Sequence, residues 1–200
     1  MGLPLQWRRP MLTTVELDRI EAIRAKFASV IERVVRPFGF EAHRLRLLPK
    51  ANEGDVRAFE ELYGLSLPED YRAFLLGVAA GGAGPGYGLV PYDASPSHER
   101  AAFPVEAVAA AFPFTEAQLL DPEQLPAELP FPSGTLVLCD EGCGYLHLLV
   151  VSGEARGQVW VDALVSDVGI FPIAPTFSDW YERWLDNLLA GGDGCWWLNE

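Results

Sequence analysis

Residues 65–92 read Leu65-Ser-Leu67-Pro68-Glu69-Asp70-Tyr71-Arg-Ala-Phe74-Leu75-Leu-Gly-Val78-Ala-Ala-Gly81-Gly82-Ala-Gly84-Pro-Gly86-Tyr87-Gly88-Leu89-Val-Pro-Tyr92. Pro68 suits a first helical position, and Glu69 and Asp70 place negative charge at the positive end of a helix dipole. Tyr71, Phe74, Leu75 and Val78 recur at helical spacing and share one face. Gly81 and Gly82 are expected to stop this helix, because glycine enters the left-handed cap conformation without a side-chain penalty. A loop with Gly84, Gly86 and Gly88 then leads into a short apolar strand, Leu89 to Tyr92. Such a loop suggests a phosphate cradle, but a nucleotide loop runs from strand into helix, whose N-terminal amides hold the anion. Here the order is helix, loop, strand. Neither Gly-x-Gly-x-x-Gly nor a Gly-Lys-Ser/Thr pattern fits, so the phosphate reading fails.

Upstream, Thr13-Thr14-Val15-Glu16 has the form of a capping box. The helix it opens carries Leu17, Ile20, Ile23, Phe27, Val30, Ile31 and Val34 on one side, with Pro37 and Gly39 expected to end it. Phe40 to Leu48 alternates loosely and suggests an edge strand, with His43 as a surface residue. Asn52 to Tyr63 reads as a second helix, capped by Asn52 and stopped by Gly64.

Downstream, prolines break residues 93–133 into short pieces, read as an irregular insertion lying over a sheet. Within it, Val105 to Phe112 and Thr115 to Leu120 can each hold a helical turn or two. Thr135 to Cys139, Tyr145 to Val151 and Gln158 to Val161 form three consecutive strands with short connections, which implies an antiparallel meander. The closing helix has Thr176 as cap and an apolar face of Phe177, Trp180, Tyr181, Trp184, Leu185, Leu188 and Leu189. Those aromatics are core rather than a cofactor box. After Gly191, Gly192 and Gly194, the tail Cys195-Trp196-Trp197 either tucks back or offers a contact.

The chain has 200 residues, half of them hydrophobic, which is enough for one compact core. No apolar run approaches the roughly 18 residues of a membrane span, and residues 1–10 lack the apolar stretch of a signal peptide. Cys139, Cys143 and Cys195 make no disulfide framework, so reduced thiols and a cytoplasmic location are expected. The formal net charge is −13. Residues 1–92 hold 12 Lys+Arg and 11 Asp+Glu, whereas residues 93–200 hold 3 and 17, so the excess acidity follows the glycine loop. Such a field repels nucleic acid and anionic membrane; it either steers a basic partner or simply keeps the surface soluble.

Catalytic signals are weak. Cys139-x-x-x-Cys143-x-x-x-His147 is the one arrangement with metal-ligand character, but no fourth ligand is evident, and small residues packed at a hairpin are the favoured reading. Asp140 and Glu141 beside Cys143 oppose a cysteine nucleophile. Neighbouring carboxylates arise by chance among 28 acidic residues, and no triad spacing or His-Glu-x-x-His is present. No catalytic, cofactor or metal residue is assigned.

Taken together, Leu67-Pro68-x-x-Tyr71-x-x-Phe74-Leu75 with its Gly-Gly loop, Cys143 to Gly153, Gly157 to Asp162, and Thr176-Phe177-x-x-Trp180-Tyr181-x-x-Trp184-Leu185 resemble SMI1/KNR4 (SUKH) domains from about Ala51 to Leu189. The resemblance implies an α+β fold, a mostly antiparallel sheet with helices packed on it, and no catalytic site. On that basis residues 51–190 form the core, residues 1–50 add a helix and edge strand to the same unit, and residues 191–200 are a tail. Bacterial members are typically immunity proteins that neutralise a cognate toxin, and fungal relatives are regulatory interaction proteins. The implied function is therefore occlusion of a toxin, for instance a basic nuclease domain. A regulatory scaffold is the alternative, and a zinc- or cysteine-dependent enzyme comes behind both. Charge alone nominates the partner-binding carboxylates: Asp93, Glu99, Asp121, Glu123, Asp140, Glu141, Asp162 and Asp167.

Overall fold

Helix α1 (Thr14–Glu32) starts at the expected capping box: the Thr13 hydroxyl accepts from the Glu16 amide at 3.3 Å, and the Glu16 carboxylate accepts from the Thr13 amide at 2.6 Å. The computed structural model describes residues 12–94, 105–119 and 133–199. Helix α1 ends before Pro37 is reached, because Val34 turns to φ +53°. Its buried stripe narrows to Ile20, Ile23 and Val30, leaving Leu17, Ile31 and Val34 exposed.

The edge strand expected over Phe40 to Leu48 is not formed. Residues Phe40–His43 make a single helical turn, α2, after which Arg44 and Leu45 both adopt positive φ and fold the chain back. Within that stretch a single β-bridge forms, from Leu47 to Gly82. The reversal also buries His43, placed at the surface by its sequence context; its Nδ1 accepts from the Leu45 amide at 3.0 Å and its ring meets Trp184 edge-on.

Helix α3 (Glu53–Tyr63) keeps its expected boundaries, with the Asn52 side chain accepting from the Asp55 amide and Gly64 as the left-handed cap. In α4 (Glu69–Gly77) Pro68 is the N-cap rather than the first helical residue, and the helix stops at Gly77 instead of at Gly81-Gly82. Gly77 has its own reason: a side chain there would run into Ile20, so α4 and α1 cross closely at that point.

Residues 81–88 act as a backbone junction. The Leu48 amide donates to Gly81 O at 2.9 Å, the Ala83 amide to Arg46 O at 2.8 Å, and the Tyr87 amide to Asp140 O at 2.8 Å. A methyl group at Gly82 would overlap the Arg46 carbonyl, and one at Gly86 would overlap that of Asp140; both residues also have positive φ. The glycines are therefore there so that three stretches of main chain can touch.

After a short α5 (Val105–Ala109) comes the sheet: β1 (Gln118–Leu119), β2 (Thr135–Asp140), β3 (Leu146–Val150), β4 (Val159–Asp162) and β5 (Gly169–Ala174), all antiparallel in the order β1-β5-β4-β3-β2. The meander β2–β4 is as expected. Strand β1 replaces the helical turn expected over Thr115 to Leu120, since Gln118 and Leu119 pair with the edge of β5. Helix α6 (Phe177–Leu189) closes the described fold, which has six helices and five strands among the described residues and is α+β as expected.

Strands β2, β3 and β4 are buried along nearly their whole length, because both sheet faces are covered. One face carries Leu136, Leu138, Leu149, Val159 and Val161 against the helices. The other carries Val150, Trp160 and Ile170 beneath Phe112 and Phe114 of the insertion, so its described part does lie over the sheet. On the helical face, Phe177, Trp180, Tyr181, Trp184, Leu185 and Leu188 of α6 are all buried. Phe74 meets Phe177 and Tyr181 edge-on at 4.9 and 4.8 Å, and the Tyr181 hydroxyl donates to Ala83 O at 2.9 Å. Of the tail's two alternatives, it tucks back: Trp196 and Trp197 are buried.

Helix α1 lies along the outer side of α6 and is tied to it by charge. Arg19 pairs with Asp179 and Glu182, and Lys26 with Glu182 and Asp186, the last three contacts at 2.8–2.9 Å. Burial pushes the Asp179 carboxyl up, but the Arg19 guanidinium and the Thr176 hydroxyl more than offset this and hold it below its ordinary value.

Two outcomes follow from these contacts. Gly86→Ala should lower unfolding stability by about 2–4 kcal/mol, read as a reduced urea midpoint, because it adds a clash to a left-handed residue. Arg19→Ala should cost about 0.5–1 kcal/mol near neutral pH. A depressed carboxylate stabilises above its unfolded pKa of about 4 and loses that contribution as pH falls through its folded value, so the Arg19→Ala deficit should shrink in acid denaturation profiles.

Candidate functional site

The eight nominated carboxylates do not form one patch. Glu99, Asp121 and Glu123 lie outside the described residues. Asp93 is exposed next to Tyr92, whose ring meets Phe59 of α3 edge-on. Asp140 and Asp162 stand at the same end of the sheet, since both are register partners of Leu146, and the exposed Asp167 follows on the turn after β4. Asp140 accepts from the Gly142 amide at 2.7 Å and Asp162 from the Leu164 amide at 3.0 Å, so each shapes its own turn. Glu141 and Asp162 are buried, which corrects their placement on an acidic surface; the register and turns that end β2 and β4 direct them inward.

Two features at this end were not read from the sequence. The first is an exposed aromatic pair. Phe38 and Tyr87 have ring centroids 5.6 Å apart and stand 41% and 51% exposed. Gly142 of the β2–β3 turn lies against both rings, and Arg36 sits 5.1 Å from the Phe40 ring beside them. The two aromatics are 49 residues apart in sequence, so only the junction at Gly39 and Gly86 brings them together.

The second is a buried cluster, Cys139, Glu141 and His147, whose ligand-type atoms all lie within 4.8 Å of one another. Strand β2 carries a bulge between Val137 and Cys139 that places Cys139 directly opposite His147 on β3. Without that extra residue, alternation would put Cys139 on the face opposite Leu138; with it, both join the helix-facing core. The Cys139 thiol donates to Glu141 Oε1 at 3.7 Å, and His147 Nδ1 is 3.6 Å from the same oxygen. Trp180 Nε1 donates to His147 Nδ1 at 3.1 Å, and the Trp197 ring packs edge-on to the imidazole at 5.1 Å. Burial pushes the Glu141 carboxyl up to about 7, drives the His147 imidazole down to about 3 and raises the Cys139 thiol well above its usual value. All three shifts favour the uncharged forms, and with its imidazole neutral His147 does not form an ion pair with Glu141.

Cys143, half of the spacing that first suggested a metal, is exposed in a left-handed conformation and outside this group. Glu141 takes its place. The clue in the sequence was Cys139-x-Glu141, which reads as a solvated turn until the bulge is known.

A cleft of about 130 Å³ opens between α1, α4 and the start of α6, lined by Val15, Arg19, Ile23, Asp70, Ala73 and Phe74. Its half-buried carboxylate is already engaged, since Asp70 accepts from the Ser178 amide at 2.8 Å and so caps α6 from a neighbouring helix. No described helix is long and apolar enough to cross a membrane.

No curated protein matches the chain significantly. The model of the SMI1 / KNR4 family (SUKH-1) matches residues 50–183, which takes in α3, α4, the glycine junction, the whole sheet and the first half of α6. A match over well over half of the chain, ending within the aromatic helix that seals the sheet, assigns this protein to the SMI1/KNR4 (SUKH) family.

Proposed function

We propose that this protein is an immunity-type domain that binds a cognate toxin protein and neutralises it by covering its working surface, with no reaction of its own. The family match over residues 50–183 carries this reading, since SUKH domains are generally protein-binding immunity proteins. The docking face is centred on the β2–β3 turn. There Phe38 and Tyr87 supply exposed aromatic anchors of the kind that dominate binding energy, and Asp167 and the half-buried Asp140 stand at the same end of the sheet. Anchors of this type fix the dissociation rate, whereas the carboxylates around them steer a basic partner and fix the association rate.

Co-expression with the toxin encoded next to this gene tests the reading. The expected result is cell survival and a co-purifying, salt-sensitive complex. Tyr87→Ala should weaken that complex at least about tenfold through faster dissociation, equivalent to ~1.4 kcal/mol. Asp167→Lys should act mainly on the association rate. Absence of both protection and complex overturns the function, and an unchanged affinity for Tyr87→Ala moves the docking face elsewhere.

A further inference from the structure

We propose that Cys139, Glu141 and His147 form a binding site for one divalent, thiolate-accepting metal ion, zinc in kind, beneath the C-terminal tail. The proposal is independent of toxin binding.

The donor set is that of zinc: a sulfur, a carboxylate oxygen and an imidazole nitrogen. The spacing is close as well. Zinc bonds of about 2.0–2.3 Å at tetrahedral angles place neighbouring donors roughly 3.3–3.6 Å apart; Glu141 Oε1 lies 3.7 Å from Cys139 Sγ and 3.6 Å from His147 Nδ1, and all three donors lie within 4.8 Å of one another. Charge selects the ion. Cys139 and His147 are fully buried and Glu141 nearly so. In such a place a thiolate, a carboxylate and a neutral imidazole sum with a dication to zero, which a monovalent ion cannot achieve. On binding, the Cys139 thiol gives up its proton, as does Glu141 where it is protonated, and both protons leave to solvent. The second carboxylate oxygen or a water completes four-coordination.

The surroundings are those of a held ligand set. The bulge in β2 exists at the one register position that brings the cysteine opposite the histidine. His147 Nδ1, which accepts from Trp180 Nε1 and lies 3.6 Å from Glu141 Oε1, is the unprotonated ring nitrogen and the one placed to ligate, while Nε2 holds the proton. Ligation through Nδ1 displaces one hydrogen bond, from Trp180 Nε1, which is small beside the bonds gained. Trp197, on the short tail that follows α6, packs edge-on against the imidazole. The bound ion therefore reports through two indoles.

The test is titration of the reduced full-length protein with Co²⁺, then displacement by Zn²⁺. The expected result is one equivalent of cobalt with a thiolate charge-transfer band and strong tetrahedral d–d bands, accompanied by a change in tryptophan fluorescence. The charge-transfer band should persist in a Cys143→Ser/Cys195→Ser variant and vanish in Cys139→Ser, while Glu141→Gln and His147→Gln should each weaken binding at least tenfold. Should Cys139→Ser fold poorly, Glu141→Gln and the double cysteine variant still decide. No thiolate band in the wild-type protein, its loss in the Cys143/Cys195 variant, or unchanged affinity in Glu141→Gln overturns the site.

Discussion

Main chain touching main chain at residues 81–88 is the contact on which the remaining architecture rests. Three partners, the 46–48 segment, the start of α2 and the β2–β3 turn, all meet a loop that offers hydrogen on its α-carbons where side chains would otherwise stand. This contact ties the loop after α4 to strand β2 of the sheet. It lets Tyr181 of α6 reach Ala83, brings Phe38 beside Tyr87, and holds the turn carrying Glu141 where the tail can cover it. A glycine-rich segment that looks like a ligand cradle is here a packing device, distinguished from one by the order of its flanking elements.

Parts of the fold governed by local chemistry were legible in the letters. The caps at Thr13, Asn52 and Thr176 depend on neighbours three residues away, and the face of α6 depends on helical spacing alone. What escaped depends on distant partners. Strand β5 contains Pro172, which breaks a strand pattern, yet the residue is exposed and sits beside an irregularity in the β4–β5 register. Strand β1 is two residues long and exists only because β5 offers an edge. The α2 turn depends on left-handed Arg44 and Leu45, and neither residue type announces that conformation. The buried cluster escaped for the same reason: a bulge shifts register by one, which no alternation pattern records.

The charge division also changes meaning in three dimensions. The acidic half of the chain is not wholly displayed to partners, because Asp179, Glu182 and Asp186 face Arg19 and Lys26 of the first helix. Arg156, one of three cations after residue 92, is likewise turned inward to the carbonyls of Ser66 and Leu67, where it ties the β3–β4 connection to the corner between α3 and α4. The surface that remains at the β2–β3 turn is mixed, with aromatic rings at its centre and carboxylates around them.

The ladder between α1 and α6 has a bearing on how the molecule is born. Its pairs join residues about 160 positions apart, so during synthesis α1 waits for α6 before its charges are answered. In the finished fold the stripe of Ile20, Ile23 and Val30 is covered by α4 and α6 together, and α6 is the later of the two in sequence. Long-range closure of this kind slows folding and leaves nascent chains sticky. The charges of α1 are thus answered only by carboxylates of α6, so an emerging chain completes this ladder only when the trailing helix arrives.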